Sequence, residues 1–453
     1  MASSLIRSKR VVLPDGLRPA SIRVDAGRIT AIEPYQGTAE DAAATVTGTV
    51  IDAGSAVVMP GLVDTHVHIN DPGRVDWEGF ETATLSAAAG GVTTLVDMPL
   101  NSIPSTTTVA ALEEKRHAAT GRCHVDVGFW GGVVPGNARE IEPLARAGVL
   151  GFKCFLSPSG VAEFDHVSES DLREAMPIIA KTGLPLLVHA EWPALLREPD
   201  RRADPRSYST WLDSRPGPAE MAAIDLLIEL CEQTSARVHI VHLASADALA
   251  SIGGARTRRL PLTVETCPHY LTFAAEDIAD GDTALKCAPP IREGEHRERL
   301  WQALTNGLID LIVTDHSPAP PALKHLEDGD FLAAWGGIAS LQITLPIVWS
   351  GAAERRIPLP RLAEWMSAAP ARLAGLEGRK GAIAPGCDAD LVIFDPEREM
   401  IVDPSRLYHR HAVTPYDGAR LRGVVMATML GGEIVFDHGE CIGPPMGRAI
   451  SRR

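Results

Sequence analysis

No stretch of the 453-residue chain carries an uninterrupted apolar run near the ~18 residues that a membrane-spanning helix needs. The N-terminal segment MASSLIRSKRVVLPDG likewise lacks the apolar centre of a signal peptide. Cysteine is sparse and scattered: seven residues, at 123, 154, 231, 267, 287, 387 and 441, with no CxxC pair. An odd count at such spacing argues against a disulfide framework and against zinc-finger sites, and suits reduced thiols in a cytosol. Positive charge is in deficit, the formal net charge being −15. Nucleic acid and anionic membrane both call for clustered Lys and Arg, so neither is an expected partner. No GxxxxGK[ST] run occurs, and glycines such as those of GGV are read as turns rather than phosphate cradles. With 45% hydrophobic and 22% charged residues the composition is that of a core-burying globular chain, expected to be soluble and cytoplasmic.

The length exceeds one ordinary domain but suits a large α/β barrel with an appended module. Residues 1–55 carry short alternating runs with turn signals, as in ASIRVDAGRITAIEPY. Residues 383–440 return to that texture in DADLVIFD and in GVVMATMLGGEIVFDHGE, a hairpin centred on LGGE. The two ends, 1–55 with 383–453, are therefore expected to build one small β-sandwich domain. Between them, residues 56–382 alternate eight buried-type strands with helical stretches. The strands are 57–69, 92–99, 124–133, 151–156, 185–191, 237–244, 261–271 and 311–318, with helices over 79–90, 105–119, 168–182 and 217–233. Eight such units predict a (β/α)8 TIM-type barrel, an α/β fold whose chemistry gathers at the C-terminal ends of its strands. The proline-rich HSPAPPALKHLEDGD after the eighth strand is a candidate active-site loop.

In VDTHVHIND, His66 and His68 stand two apart at the end of strand one and so face the same side. His189 ends strand five in LLVHAE, His242 ends strand six in HIVHLA, and Asp315 ends strand eight in IVTDHS. One histidine at a strand end is more often a hydrogen-bonded core residue than a ligand. Five ligand-type side chains at one rim of a barrel are hard to ascribe to independent accidents. Imidazole and carboxylate suit zinc and other divalent first-row metals. Lys153, ending strand four in GFKCF, admits two readings: an ammonium paired with a nearby acid, or an amine modified into an anionic bridge between two metals. Residue chemistry leaves both open. Cys154 and Cys287 lie near the rim without an obvious base partner and are read as structural.

The runs MPGLVDTHVHIND, GGVTTLVDMPLNS, GFKCF, VHAE, VHLAS, KCAPPIR and VTDHSP resemble the cyclic amidohydrolases of the amidohydrolase superfamily, over about residues 50–440. The resemblance implies two divalent metal ions per chain, zinc first, with manganese, cobalt and iron compatible with the same ligands. It implies His66 and His68 on the more buried metal, His189 and His242 on the other, and Lys153, carboxylated by CO2 to N6-carboxylysine, bridging them. Asp315 completes the site beside the first metal. The chemistry expected of such a pair is attack by a metal-bridging hydroxide, with Asp315 as catalytic proton shuttle. A homotetramer is implied as well. His269, in CPHY, is not a ligand in that pattern and is expected to serve packing.

Departures from neighbouring patterns narrow the substrate. Where dihydroorotases carry a carboxylate-gripping arginine, this chain has Asn70. Where dihydropyrimidinases and hydantoinases carry a substrate-binding tyrosine it has Pro158, with Ser157 or Ser159 as substitute hydroxyls. KCFLSPSG, MPLNSIPST, KCAPPIR and AWGGIASLQ resemble the allantoinases, which implies hydrolysis of the hydantoin ring of allantoin to allantoate in purine nitrogen catabolism. Backbone groups near Ala288 and near Trp335–Gly336 would hold the ring's amide edges, with Asn101 and Ser317 as further rim candidates that equally suit turns. The alternatives are a hydantoinase or dihydropyrimidinase acting on other cyclic imides, and a non-catalytic barrel scaffold, which lost ligands would signal.

Overall fold

The computed structural model describes residues 3–35, 37, 48–199 and 202–452. The first strands are β1 (Ser4–Leu13), β2 (Gly16–Asp25), β3 (Arg28–Glu33), β4 (Val50–Asp52) and β5 (Val57–Pro60). The barrel follows with β6 (Leu62–Val67), β7 (Val92–Asp97), β8 (Asp126–Phe129), β9 (Gly131–Gly132), β10 (Phe152–Phe155), β11 (Pro185–His189), β12 (Arg237–Ile240), β13 (Leu262–Thr266) and β14 (Leu311–Ile312). Last come β15 (Leu391–Ile401), β16 (Arg420–Leu430), β17 (Glu433–Asp437) and β18 (Glu440–Cys441).

Parallel pairing runs β6-β7-β8 and β9 through β14 in sequence order. Trp130 joins the two arcs, because Phe129 O accepts from Leu150 N and Gly131 N donates to Gly151 O. The ring closes where His68 N donates to His316 O at 2.8 Å and Val67 bridges His316. β8 and β9 count as one bent strand, so eight strands alternate with outer helices in a (β/α)8 barrel. Its strands are buried on both faces, which explains why they read as near-continuous apolar runs. The helix Glu169–Thr182 shows the local logic: Ser168 and Asp171 form a reciprocal capping box, and Gly183 ends it at φ 68°.

The chain ends form one nine-stranded sheet, ordered β18-β17-β16-β15-β5-β1-β2-β3 with β4 on β1. Ile6, Ile22 and Val24 from one half pack with Leu391, Ile393 and Met429 from the other, giving the end domain a core of its own. Lys380 locks this sheet to the barrel. Its Nζ lies 2.7 Å from Asp126 Oδ2 on β8, and 2.5 and 3.1 Å from Asp390 Oδ2 and Asp388 Oδ2 before β15.

Four details depart from the sequence-based expectations. The run 57–69 is not one strand: Val57–Pro60 pairs with β1 and β15, whereas Leu62–Val67 pairs with β7. Both halves are fully buried, so hydrophobicity concealed the change of sheet. Gly61 turns the corner, where a Cβ would lie 2.3 Å from Thr93 Oγ1. The end sheet thus reaches Pro60 rather than stopping at 55. The seventh strand ends at Thr266 because Pro268 opens the short helix Pro268–Thr272. The eighth is regular only over Leu311–Ile312, continuing to His316 as isolated bridges. Finally, the tail leaves the end domain. Gly447 N donates to Cys123 O and Ile450 N to Val127 O, laying the tail along the free edge of β8 and burying Ile450 beside Trp130 and Leu150.

Candidate active site

All six singled-out side chains meet at the C-terminal rim. His66 Nε2 and His68 Nε2 lie 3.1 and 3.3 Å from Asp315 Oδ1, and ligand-type atoms of these three residues fall within 4.8 Å of one another. On the other side, His189 Nδ1 faces His242 Nε2 at 2.9 Å. The His66 and His242 rings are 5.4 Å apart, which joins the two groups into one cluster. Lys153 is fully buried, its Nζ has no hydrogen-bond partner among the described residues, and it stands 4.9 Å from the Phe155 ring. Two of the residues hold left-handed backbone, His242 at φ 40° and Asp315 at φ 47°. Such conformations cost about 1–3 kcal/mol in non-glycine residues and cluster at functional sites.

An outer layer of carboxylates fixes which ring nitrogens face inward. Glu265 bonds His66 Nδ1 and, at 2.8 Å, His239 Nε2. Glu191 takes His189 Nε2 at 2.6 Å and is itself gripped by Arg215 at 2.7 and 3.1 Å. His66 therefore presents Nε2 and His189 presents Nδ1 to the interior, the arrangement that orients metal-binding imidazoles. Asn101 Nδ2 approaches His68 Nδ1 at 3.4 Å.

The electrostatics of the cluster suit cation binding. Burial holds His68 and His189 below the ordinary histidine value and His242 well below it, which favours the neutral, ligand form of these three imidazoles. Burial raises Asp315, but the His66 and His68 rings more than reverse this and hold it far below the usual carboxylate range. Glu191 and Glu265 are likewise burdened by burial, yet Arg215 and His189 in the first case, and His66 and His239 in the second, bring each to about 2. Burial pushes Lys153 down to about 8, which favours a free, nucleophilic amine. Neutral imidazoles, an ionised carboxylate and a buried amine with no partner form a donor set that fits divalent cations.

Above the cluster opens a cleft of roughly 260 Å³, lined by Asn101, Pro158, Ala288, Ser317, Trp335 and Gly336 among others. Ala288 and Gly336 keep both backbone N–H and C=O unpartnered among the described residues. Trp335 differs from expectation: its N–H donates to Leu323 O and its carbonyl accepts from Lys324, so its backbone is spent within the protein. Its indole Nε1 has no partner among the described residues. Neither substitute hydroxyl takes up the missing tyrosine's place. Ser159 Oγ is spent on Phe164 O at 2.5 Å, and Ser157 is wholly buried outside the cleft lining. Asn70 turns away to Pro318 O at 3.4 Å. Burial raises the Cys154 and Cys287 thiols to about 12, leaving them unreactive. His269 is buried against Tyr270, pushed down to about 4 by burial, with neither ring nitrogen bonded among the described residues.

Sequence reasoning missed Glu191, Glu265, Arg215 and the cleft-lining Trp211 and Lys286. Glu191 carried a signal, standing two residues after His189 in VHAE and hence on the same strand face. Of the others, Trp211 and Arg215 stand four apart at the end of the helix Tyr208–Ser214, whereas Glu265 lies on β13 and Lys286 follows the turn Thr283–Leu285.

The model of the Amidohydrolase family matches residues 57–435. The chain is 50% identical over 448 residues to the allantoinase of Streptomyces avermitilis, spanning 99% of this chain and 98% of that one. It is 47% identical over 449 residues to the allantoinase of Arabidopsis thaliana, spanning 96% and 88%. Among solved structures it superposes on the L-hydantoinase (dihydropyrimidinase) of Arthrobacter aurescens with a TM-score of 0.93 at 34% identity, over 100% of both chains.

Proposed function

Because the chain belongs to the amidohydrolase family, we propose that it is a metal-dependent cyclic amidase that opens the hydantoin ring of allantoin to give allantoate. The observation that carries this reading is the convergence of His66, His68 and Asp315 beside the His189–His242 pair, with the partnerless amine of Lys153 buried alongside. The likeness to allantoinases over nearly the whole chain supports the choice of ring.

In this reading His66, His68 and Asp315 would hold one divalent ion and His189 and His242 the other, with Lys153 adding ligand oxygens as a carbamate formed with CO2. When bound, such ions supply Lewis acidity toward the ring carbonyl and lower the pKa of water toward neutrality. The residues do the rest. Asp315, held ionised, accepts the proton of the attacking water and delivers it to the leaving ring nitrogen. Glu191 and Glu265 keep His189 and His66 in the tautomers whose free nitrogens face inward. The open N–H and C=O of Ala288 and Gly336 match the alternating donors and acceptors of a cyclic imide. Phe155, stacked on His189 at 4.5 Å, closes an apolar wall against bulk water.

Zinc as the resident metal, a homotetramer and a cytoplasmic location belong to the same proposal; no helix among the described residues is long and apolar enough to cross a membrane. Metal analysis and light scattering test the first two, and fractionation of the source cells the third. The function itself is tested by hydrolysis of allantoin, hydantoin and dihydrouracil, with protein loaded with zinc, manganese or cobalt in bicarbonate. Preference for allantoin with about two metals per chain is the expected result. Preference for hydantoin or dihydrouracil would keep the metal chemistry and overturn the ring assignment, and no bound metal would overturn both.

A further inference from the structure

Two lysines outside the metal cluster are buried without a carboxylate partner. Lys286 is 5% exposed and Lys324 3% exposed, and neither makes an ion pair among the described residues. Burying an ammonium is costly, and burial pushes Lys286 down to about 8 and Lys324 to about 7. Both amines instead donate to main-chain carbonyls of one short segment. Lys286 Nζ bonds Leu332 O at 3.1 Å and Ala334 O at 2.5 Å, with its remaining side against the Trp211 ring at 4.3 Å. Lys324 Nζ bonds Trp335 O at 3.1 Å and Gly337 O at 2.9 Å. An amine that sheds its proton still carries two N–H donors, enough for two carbonyls, so the arrangement survives in either protonation state.

The neighbouring backbone N–H groups are also spent. Ala334 N donates to Asp330 O, Trp335 N to Leu323 O and Gly337 N to Lys286 O. Over 334–337, the one residue with both backbone groups open among the described residues is Gly336, and it lines the cleft.

We propose that Lys286 and Lys324 are positioning residues that clamp the 332–337 segment by its carbonyls, so that within this segment Gly336 presents an N–H and a C=O to the amide edge of a cyclic substrate. This rests on the cyclic-amidase reading and adds to it the device that shapes the ring-binding wall. Holding an edge of the ring is an interaction made alike in ground and transition states, so its loss falls on KM more than on kcat.

The test uses the full-length metal-loaded enzyme and its Lys324→Met and Lys286→Met variants, with metal content and thermal unfolding followed alongside. The expected result is a KM for allantoin raised about tenfold or more, a smaller loss in kcat, and unchanged metal content. A variant that binds metal normally and keeps the wild-type KM overturns the clamp while leaving the cyclic-amidase reading intact. A wild-type enzyme that hydrolyses none of the three rings overturns that reading. The clamp is also judged on the wild-type protein, whatever its activity, by brief acetic anhydride labelling read by mass spectrometry. Exposed Lys9 and Lys181 should be acetylated while Lys286 and Lys324 stay protected. Equal labelling of all four would overturn the clamp even if neither variant folds.

Discussion

Lys153 is the residue whose chemistry its surroundings decide. An ammonium in a fully buried site without a hydrogen-bond partner is unfavourable, and a neutral amine there is poised to take up CO2. Lys153→Ala is expected to lose one or both metals and nearly all activity, measured by elemental analysis beside turnover; two metals at full turnover would exclude the bridging carbamate. The carboxylates behind the imidazoles make a subtler case. Glu191→Gln leaves the shape but weakens the hold on His189 Nε2, and metal affinity is expected to fall about 10–100-fold. Competition with a chelator measures it, and an unchanged affinity would mean that His189 is not oriented through Glu191.

At the scale of elements, β8 is the weak seam of the barrel. It pairs with β7 on one side, and the bend at Trp130 leaves its other edge for the tail, where Val127 N donates to Arg448 O and Ile450 N to Val127 O. A run of eight alternating units showed that a barrel would form, and the helices over 169–182 and 217–234 lie within a residue of their expected bounds. The tail's route was illegible, because GPPMGRAISRR has neither strand alternation nor an apolar run. Ile450→Ala should cost roughly 2–4 kcal/mol of stability, since a buried side chain in a packed cluster is removed. Urea unfolding checks it, with an unchanged midpoint counting against the docked tail.

For the whole molecule, the joint between barrel and end sheet combines apolar packing, in which Val392, Phe394 and Val435 share the barrel's buried cluster, with a buried ammonium among three aspartates. Burial lowers the Lys380 pKa, but Asp390 and Asp126 more than compensate and hold it above the ordinary lysine value of 10.5. Lys380→Met leaves buried carboxylates uncompensated and is expected to destabilise by about 3–5 kcal/mol. Because the folded-state pKa is raised, the lysine's contribution is fully present below 10.5 and is lost as pH rises beyond it through the folded value. The stability gap between wild type and variant should therefore hold steady across neutral pH and narrow in strong alkali. A gap that already closes between pH 7 and 9 would contradict this pairing.

The count of alternating strand–helix units and the residue types at the rim were determined by the sequence alone, since period-2 and period-3.6 patterning and side-chain chemistry are local properties. His66, His68, His189, His242 and Asp315 were legible for that reason: each stands at or just past the C-terminal end of a strand, and a barrel brings strand ends together. The tertiary structure alone decided that Gly61 parts two sheets, that Glu265 stands behind His66 from 199 residues away, and that Trp335 spends its backbone while Gly336 keeps its own. These features depend on which backbone groups already have partners and which charges share a water-poor interior. Both are relations between distant segments that no short stretch of sequence contains.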